Sequence, residues 1–244
     1  MEIKINELYS FLIENRKYNF ELQLNYYKRI LKNQDNKTDR LIALLYETAN
    51  TQSRPKIDKL KNFHKKIFEN KGNIQNFESF VRLLDVEQNI NFKGLFSGLR
   101  NQEGWGDKTS ALFVKVIYHI HNGEYSNELK IWDDVPDFNE NNDKLYLPVD
   151  SVIINIFSRI QKQNWNFKSI NQKLSSIETH KKIDMEVWDD LWFWGFINQK
   201  GSSDRIFEWN EGKYWMLRDS NKNKYLIAEI KEKSTQFNSI LNNN

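Results

Sequence analysis

The feature that most limits what this chain can fold into is its lack of punctuation: 244 residues carry nine glycines and three prolines. Long stretches therefore run without a helix-ending residue, and apolar positions recur in them at three- and four-residue spacing. Leu41, Ile42, Leu44, Leu45 and Tyr46 form one such run, closing near Asn50. Pro55 suits the first turn of the next helix, where Ile57, Leu60, His64, Ile67 and Phe68 share a face. Phe77, Phe80, Val81, Leu84 and Val86 predict a further helix, and Phe92, Leu95, Phe96 and Leu99 another. Leu112 to Ile120 continue the pattern up to Asn122-Gly123, Val152 to Ile160 repeat it, and an aromatic helix is expected from about Asp184 to Asn198. A mainly α fold follows.

The tail changes character. Ile206, Phe207 and Trp209, then Tyr214, Trp215 and Met216, flank Asn210-Glu211-Gly212-Lys213 as the strands of a small β-hairpin would. Tyr225 to Leu241 reads as a closing helix, with Leu226-Ile227-Ala228 an alternative third strand.

Sixteen Phe, ten Tyr and eight Trp supply apolar area for a core, while charged residues at 28% keep the surface polar. The net charge of +3 decides little by itself, so its distribution matters more. From Arg54 to Lys71 seven Lys or Arg stand against Asp58 and Glu69, whereas from Glu124 to Asp143 seven acids face only Lys130. The first stretch suits phosphate, or is simply a solvated face; the second would be repelled by phosphate. With no cysteine in the chain, disulfides, thiolate catalysis, Cys-based zinc sites and iron-sulfur clusters are excluded. No signal-peptide core follows Met1 and no apolar run is long enough to cross a bilayer, so a cytoplasmic protein is expected.

Between two apolar helical runs stands Gly104-Trp105-Gly106-Asp107-Lys108-Thr109, and Leu147-Pro148-Val149-Asp150-Ser151 opens a later helix, Asp150 lying 42 positions beyond Lys108. Glycines between helices let the backbone turn tightly and aim amides at a phosphate. The combination resembles the helix-hairpin-helix DNA glycosylase superfamily, in which a Gly-x-Gly-x-Lys-Thr hairpin carries a catalytic lysine and a Val-Asp pair carries an aspartate. The resemblance spans about Leu41 to Gln199. It implies two helical subdomains around a cleft, Lys108 as nucleophile on sugar C1′, Asp150 as its electrostatic partner, and a hairpin, Gly104, Trp105 and Gly106, bound to DNA. Leu41 through Asn50-Thr51-Gln52 is similar to the superfamily's first block, which places Asn50, with Gln52, in the gap left by a flipped base. The missing cysteines move the likeness toward cluster-free 8-oxoguanine branches, and to the archaeal 8-oxoguanine glycosylases in particular. That comparison implies a base pocket drawn from Lys115, Leu112, Phe113, Asp184, Trp188 and Trp192, with Trp188 the preferred stacking residue and Trp192 and Trp194 read mainly as core. Leu112 stands where an aromatic residue is usual, and Gln199 about where a first cluster cysteine would be. Leu191-Trp192-Phe193-Trp194-Gly195 resembles a late superfamily helix ending in Gly.

The reading that follows is a monomeric, metal-independent glycosylase with AP-lyase activity on an oxidised purine such as 8-oxoguanine in double-stranded DNA. A monovalent cation at the hairpin is the sole inorganic partner the resemblance implies. A non-catalytic DNA-binding protein, or a glycosylase for another damaged or modified base, is the alternative. His119-Ile120-His121 has no third ligand at suitable spacing and is read as a partly exposed helix end. Residues 1-40 are expected to be an N-terminal helical extension, 41-200 the core, and 201-244 an aromatic tail. Residues 124-144 are expected to be an acidic surface insertion looping away, which would leave Lys108 and Asp150 free to converge.

Overall fold

The computed structural model describes residues 2–177, 181, 184–201, 205–217 and 224–242. It is mainly helical, as the spacing predicts, and its contacts divide into two compact units. One takes the chain up to Gln23, from Val149 to Ile177 and from Asp184 onward; the other takes Leu24 to Pro148.

The first unit is a bundle of α1 (Glu2–Glu14), the start of α2 (Arg16–Leu31), α8 (Ser151–Ile160), α9 (Phe167–Ser175), α10 (Met185–Ile197), α11 (Glu211–Leu217) and α12 (Lys224–Asn242). Its centre is aromatic. The Trp194 ring meets Phe11 of α1 edge-on at 4.9 Å, Tyr18 of α2 at 5.7 Å and Phe237 of α12 at 6.4 Å, so chain segments from opposite ends share one core. Phe11, Tyr18 and Phe237, from segments expected to lie outside the core, are therefore part of this one. Gly195 lies inside α10 rather than ending it. A Cβ there would sit 2.5 Å from Ile156 Cδ1 and 2.7 Å from Val152 Cγ1, so this position has room for hydrogen alone where α10 crosses α8.

The expected tail hairpin pairs differently. Ile206–Phe207 form β2, but its antiparallel partner is β1, Gln199–Lys200, and the sequence from Glu211 to Leu217 that was to be the second strand is α11. The period was misleading because Tyr214 and Leu217, three apart, also suit a helix, and Asn210 opens it by accepting the Lys213 N–H on its side chain.

The second unit contains α3 (Lys37–Asn50), α4 (Ile57–Glu69), α5 (Phe77–Leu83), α6 (Phe92–Arg100) and α7 (Asp107–Asn122). α7 is central: Ala111, Phe113, Val114, Val116, Ile117 and Ile120 are all buried, and it packs on α3 and α6. Pro55 stands just before α4, whose first helical residue is Ile57.

The acidic segment after α7 has little regular structure, as expected, but it does not loop away. Tyr125, Leu129, Ile131 and Trp132 are buried, and the Trp132 indole N–H donates to the Ile74 carbonyl at 3.0 Å. Its acids terminate helices. Asp134 accepts the N–H groups of Phe77 and Glu78 at the start of α5, and Asp143 accepts those of Phe92 and Lys93 at the start of α6. Lys37 pairs with Asp133, Lys32 with Glu128, and Arg40 donates to the Glu128 and Lys130 carbonyls. A run of like charge is tolerated because amides and cations of the helices it borders consume it.

His119 and His121 are not at an exposed end either. Tyr27 Oη lies 2.8 Å from His119 Nδ1, and the Ile131 N–H donates to His121 Nε2 at 3.3 Å. Burial, more than any neighbouring charge, pushes the His121 pKa down to about 4.

Candidate functional site

In the second unit the site is built from the ends of three helices. α6 ends at Arg100 and α7 starts at Asp107, and the tight turn between them is closed by a Trp105 N–H to Gln102 carbonyl bond of 3.2 Å. Gly104 has φ +83°, in the left-handed region, and a Cβ would lie 2.9 Å from Leu60 Cδ2. Gly106 differs: φ −126° and ψ 176° are open to any residue, and nothing stands within 4 Å of where its Cβ would be. It is the N-cap of α7 without a capping side chain, so the first amides of α7 are left bare at this point.

Lys108, the second residue of α7, is half-buried, and its ammonium donates to the Thr51 carbonyl at 3.2 Å. Thr51 is the C-cap of α3, where unsatisfied carbonyls favour a cation. Its neighbour Gln52 donates to the Gly104 carbonyl at 3.1 Å, and Asn50, the last residue of α3, is exposed. The α3 terminus, the hairpin and Lys108 are therefore one constellation, formed from segments that the sequence singled out separately.

Trp105 is corrected. It is 6% exposed and packs edge-on against Phe63 at 5.2 Å and Phe113 at 6.0 Å, under the turn rather than facing a ligand. Phe113 is likewise wholly buried, because it lies on the α7 face that meets the core; Leu112 and Lys115 are half-buried.

In the first unit Asp150 is the N-cap of α8. Its Oδ1 accepts the amides of Val152 at 2.8 Å and Ile153 at 3.2 Å, while its Oδ2 accepts the Trp192 indole N–H at 2.9 Å. Trp192 is half-buried and stacks on Phe196 at 4.9 Å and 15°, with the Lys213 ammonium over the Phe196 ring at 5.1 Å. Arg205 donates to Ser151 Oγ at 2.8 Å and to Gln199 Oε1 at 3.0 Å, and Gln199 in turn donates to the Val152 carbonyl. Sequence reading missed Arg205 and Lys213: they sit in a tail outside the motif, and no spacing ties them to residue 151.

Two roles on α10 are exchanged. Trp188, expected to stack on a base, is 1% exposed and rests against Tyr9 at 5.6 Å, whereas Trp192, expected mainly as core, faces Asp150. Four residues apart, both lie on one stripe, but Trp188 is a turn nearer the buried start of α10. Asp184, the N-cap of α10, accepts a hydrogen bond from the Tyr9 hydroxyl, which together with burial pushes the Tyr9 pKa to about 12. Asp190 is buried, bonded to Asn19 Nδ2 at 2.5 Å with Arg16 Nε 3.6 Å away, and burial pushes its pKa up to about 8.

No group of three or more His, Asp or Glu able to hold a metal exists among the described residues, nor is any helix there long and apolar enough to cross a membrane. A scan of family models, a search of curated proteins and a search of solved structures each return no match.

Proposed function

We propose that the protein is a helix-hairpin-helix DNA glycosylase with AP-lyase activity, acting on an oxidised purine such as 8-oxoguanine in duplex DNA. The observation that carries this reading is the hairpin between α6 and α7: a bare glycine N-cap over open space, with a lysine two residues further on. Unfilled amides at a helix N-terminus suit a phosphate oxygen, and holding the backbone there lets the adjoining nucleotide rotate out of the stack.

Each remaining group then has a task. The Lys108 amine attacks sugar C1′ of the extruded nucleotide and the base leaves with the bonding electrons; the C1′–O4′ bond then breaks as the sugar ring opens, O4′ taking up a proton, and the imine so formed permits strand cleavage by β-elimination. Attack requires the neutral amine, so Lys108 must give up its proton and release the Thr51 carbonyl. Asp150 stabilises positive charge on the sugar through Oδ2, its Oδ1 being engaged by the α8 amides. Asn50, which is exposed, enters the vacated stack in this reading, while Gln52 braces the hairpin through the Gly104 carbonyl. Of the hairpin carbonyls, that of Gln102 accepts the Trp105 amide and that of Gly104 accepts Gln52, each keeping one lone pair for a bound monovalent cation.

One observation favours a neighbouring reading. With Phe113 and Trp188 in the core, two of the three aromatic residues of the 8-oxoguanine pocket are withdrawn and only Trp192 is left part-exposed, which suits a different damaged or modified base. Incubation with a panel of lesion duplexes and borohydride tests both. We expect a covalent complex with at least one lesion, lost in Lys108→Gln. No trapped complex with any lesion defeats the lyase claim and leaves a non-catalytic DNA-binding protein; a complex that survives Lys108→Gln places the nucleophile elsewhere.

A further inference from the structure

Asp150 has a second restraint that the motif does not contain. As a helix cap it uses Oδ1 alone, and that bond would hold the carboxylate in place for folding whatever happened at Oδ2. Oδ2 nevertheless receives the indole N–H of Trp192, 42 residues away and on another helix. The indole is itself held by stacking on Phe196, whose ring also carries the Lys213 ammonium at 5.1 Å. A single N–H donor on a rigid ring fixes the plane of the carboxylate and leaves Oδ2 with one lone pair for an incoming charge.

We infer that Trp192 is a positioning residue for Asp150, holding Oδ2 in the orientation in which it meets the positive charge developing on the sugar. This role rests on the glycosylase reading. It differs from a base-stacking role, because the indole N–H rather than the ring face performs it, and from a packing role, because folding does not need Oδ2 restrained. The supporting groups come from two helices, Trp192 and Phe196 from α10 and Lys213 from α11.

The test removes the N–H, in one of two variants while keeping the bicyclic ring. Trp192→Phe and a benzothienylalanine at position 192, in which sulfur stands for the indole N–H, are compared with wild type in single-turnover base release and in duplex binding. Loss of one hydrogen bond to a charged group predicts release slowed about 10- to 100-fold in both variants, with the Kd for DNA held within about twofold. In an Asp150→Asn background the Trp192→Phe change adds nothing further, since the two act as one unit. The indole 1H–15N signal of Trp192 also moves on Asp150→Asn, a readout independent of turnover. Wild-type rate in the benzothienyl variant, or a loss confined to DNA binding, overturns the role while leaving the function intact. An unmoved indole signal overturns the hydrogen bond itself. Wild-type protein that releases no base from any lesion duplex overturns the function and this role together.

Discussion

At the scale of single residues, Asp150 and the two hairpin glycines separate folding from chemistry. Asn keeps the cap through its oxygen but turns an N–H donor toward the Trp192 indole, so Asp150→Asn should cost no more than about 1–2 kcal/mol of stability. Base release should nonetheless fall on the order of 100-fold or more, as when one preorganised charge-stabilising group is removed; chemical melts alongside single-turnover assays check this. Gly104→Ala and Gly106→Ser should diverge in the opposite sense. The first puts a Cβ at positive φ and against Leu60, costing about 1–3 kcal/mol of stability. The second fits the open space, supplies a capping hydroxyl and leaves stability unchanged or slightly improved, yet weakens DNA binding by obstructing the bare amides. If Gly106→Ser binds duplex as tightly as wild type, the hairpin is not a phosphate site.

At the scale of elements, the helices from α3 to α8, with α10 and α12, were legible because apolar spacing is a local signal, whereas α9 was not read and α11 was read as a strand. Asn36, Asn76, Asn91, Asp150 and Asn166 each cap the helix that follows. What was not legible depended on distant partners. The acidic segment read as solvent-facing because its charges are visible in sequence while the α5 and α6 amides that absorb them are not. Asp143→Ala should therefore destabilise the second unit by about 1–2 kcal/mol, an effect far above that of an exposed acid, and a denaturant titration would show it. Trp188 and Trp192 failed for the same reason: both satisfy the spacing, and only packing against α1 or α8 decides which is buried. The tail hairpin failed because a two-residue strand carries almost no period to read.

At the scale of the whole molecule, two buried ionisable groups give the units opposite responses to pH. Asp190 in the first unit has its pKa raised to about 8 from an ordinary 3.8. The folded form thus holds a proton that the unfolded form lacks, and its stabilisation, complete below about pH 4, is lost as pH rises through 8. His121 in the second unit has its pKa lowered to about 4 from 6.5. There the unfolded form takes up the proton first, and stability is lost as pH falls from 6.5 toward 4, by at most about 3 kcal/mol. Calorimetry should find the first unit melting earlier at pH 8 and the second earlier at pH 5. Asp190→Asn should remove the alkaline fall without touching the acid one; a single transition that shifts identically at both extremes would refute the assignment.

The shared core of α1, α10 and α12 also sets an order on synthesis. As the chain emerges, residues 24 to 148 are complete before any of α8 is made, and that unit can fold where it stands. Phe11 and Tyr18, made before that unit, have no Trp194 or Phe237 to meet until after it is complete. α1 therefore waits while the intervening unit is made, its apolar face open to water or to a chaperone until α10 and α12 follow.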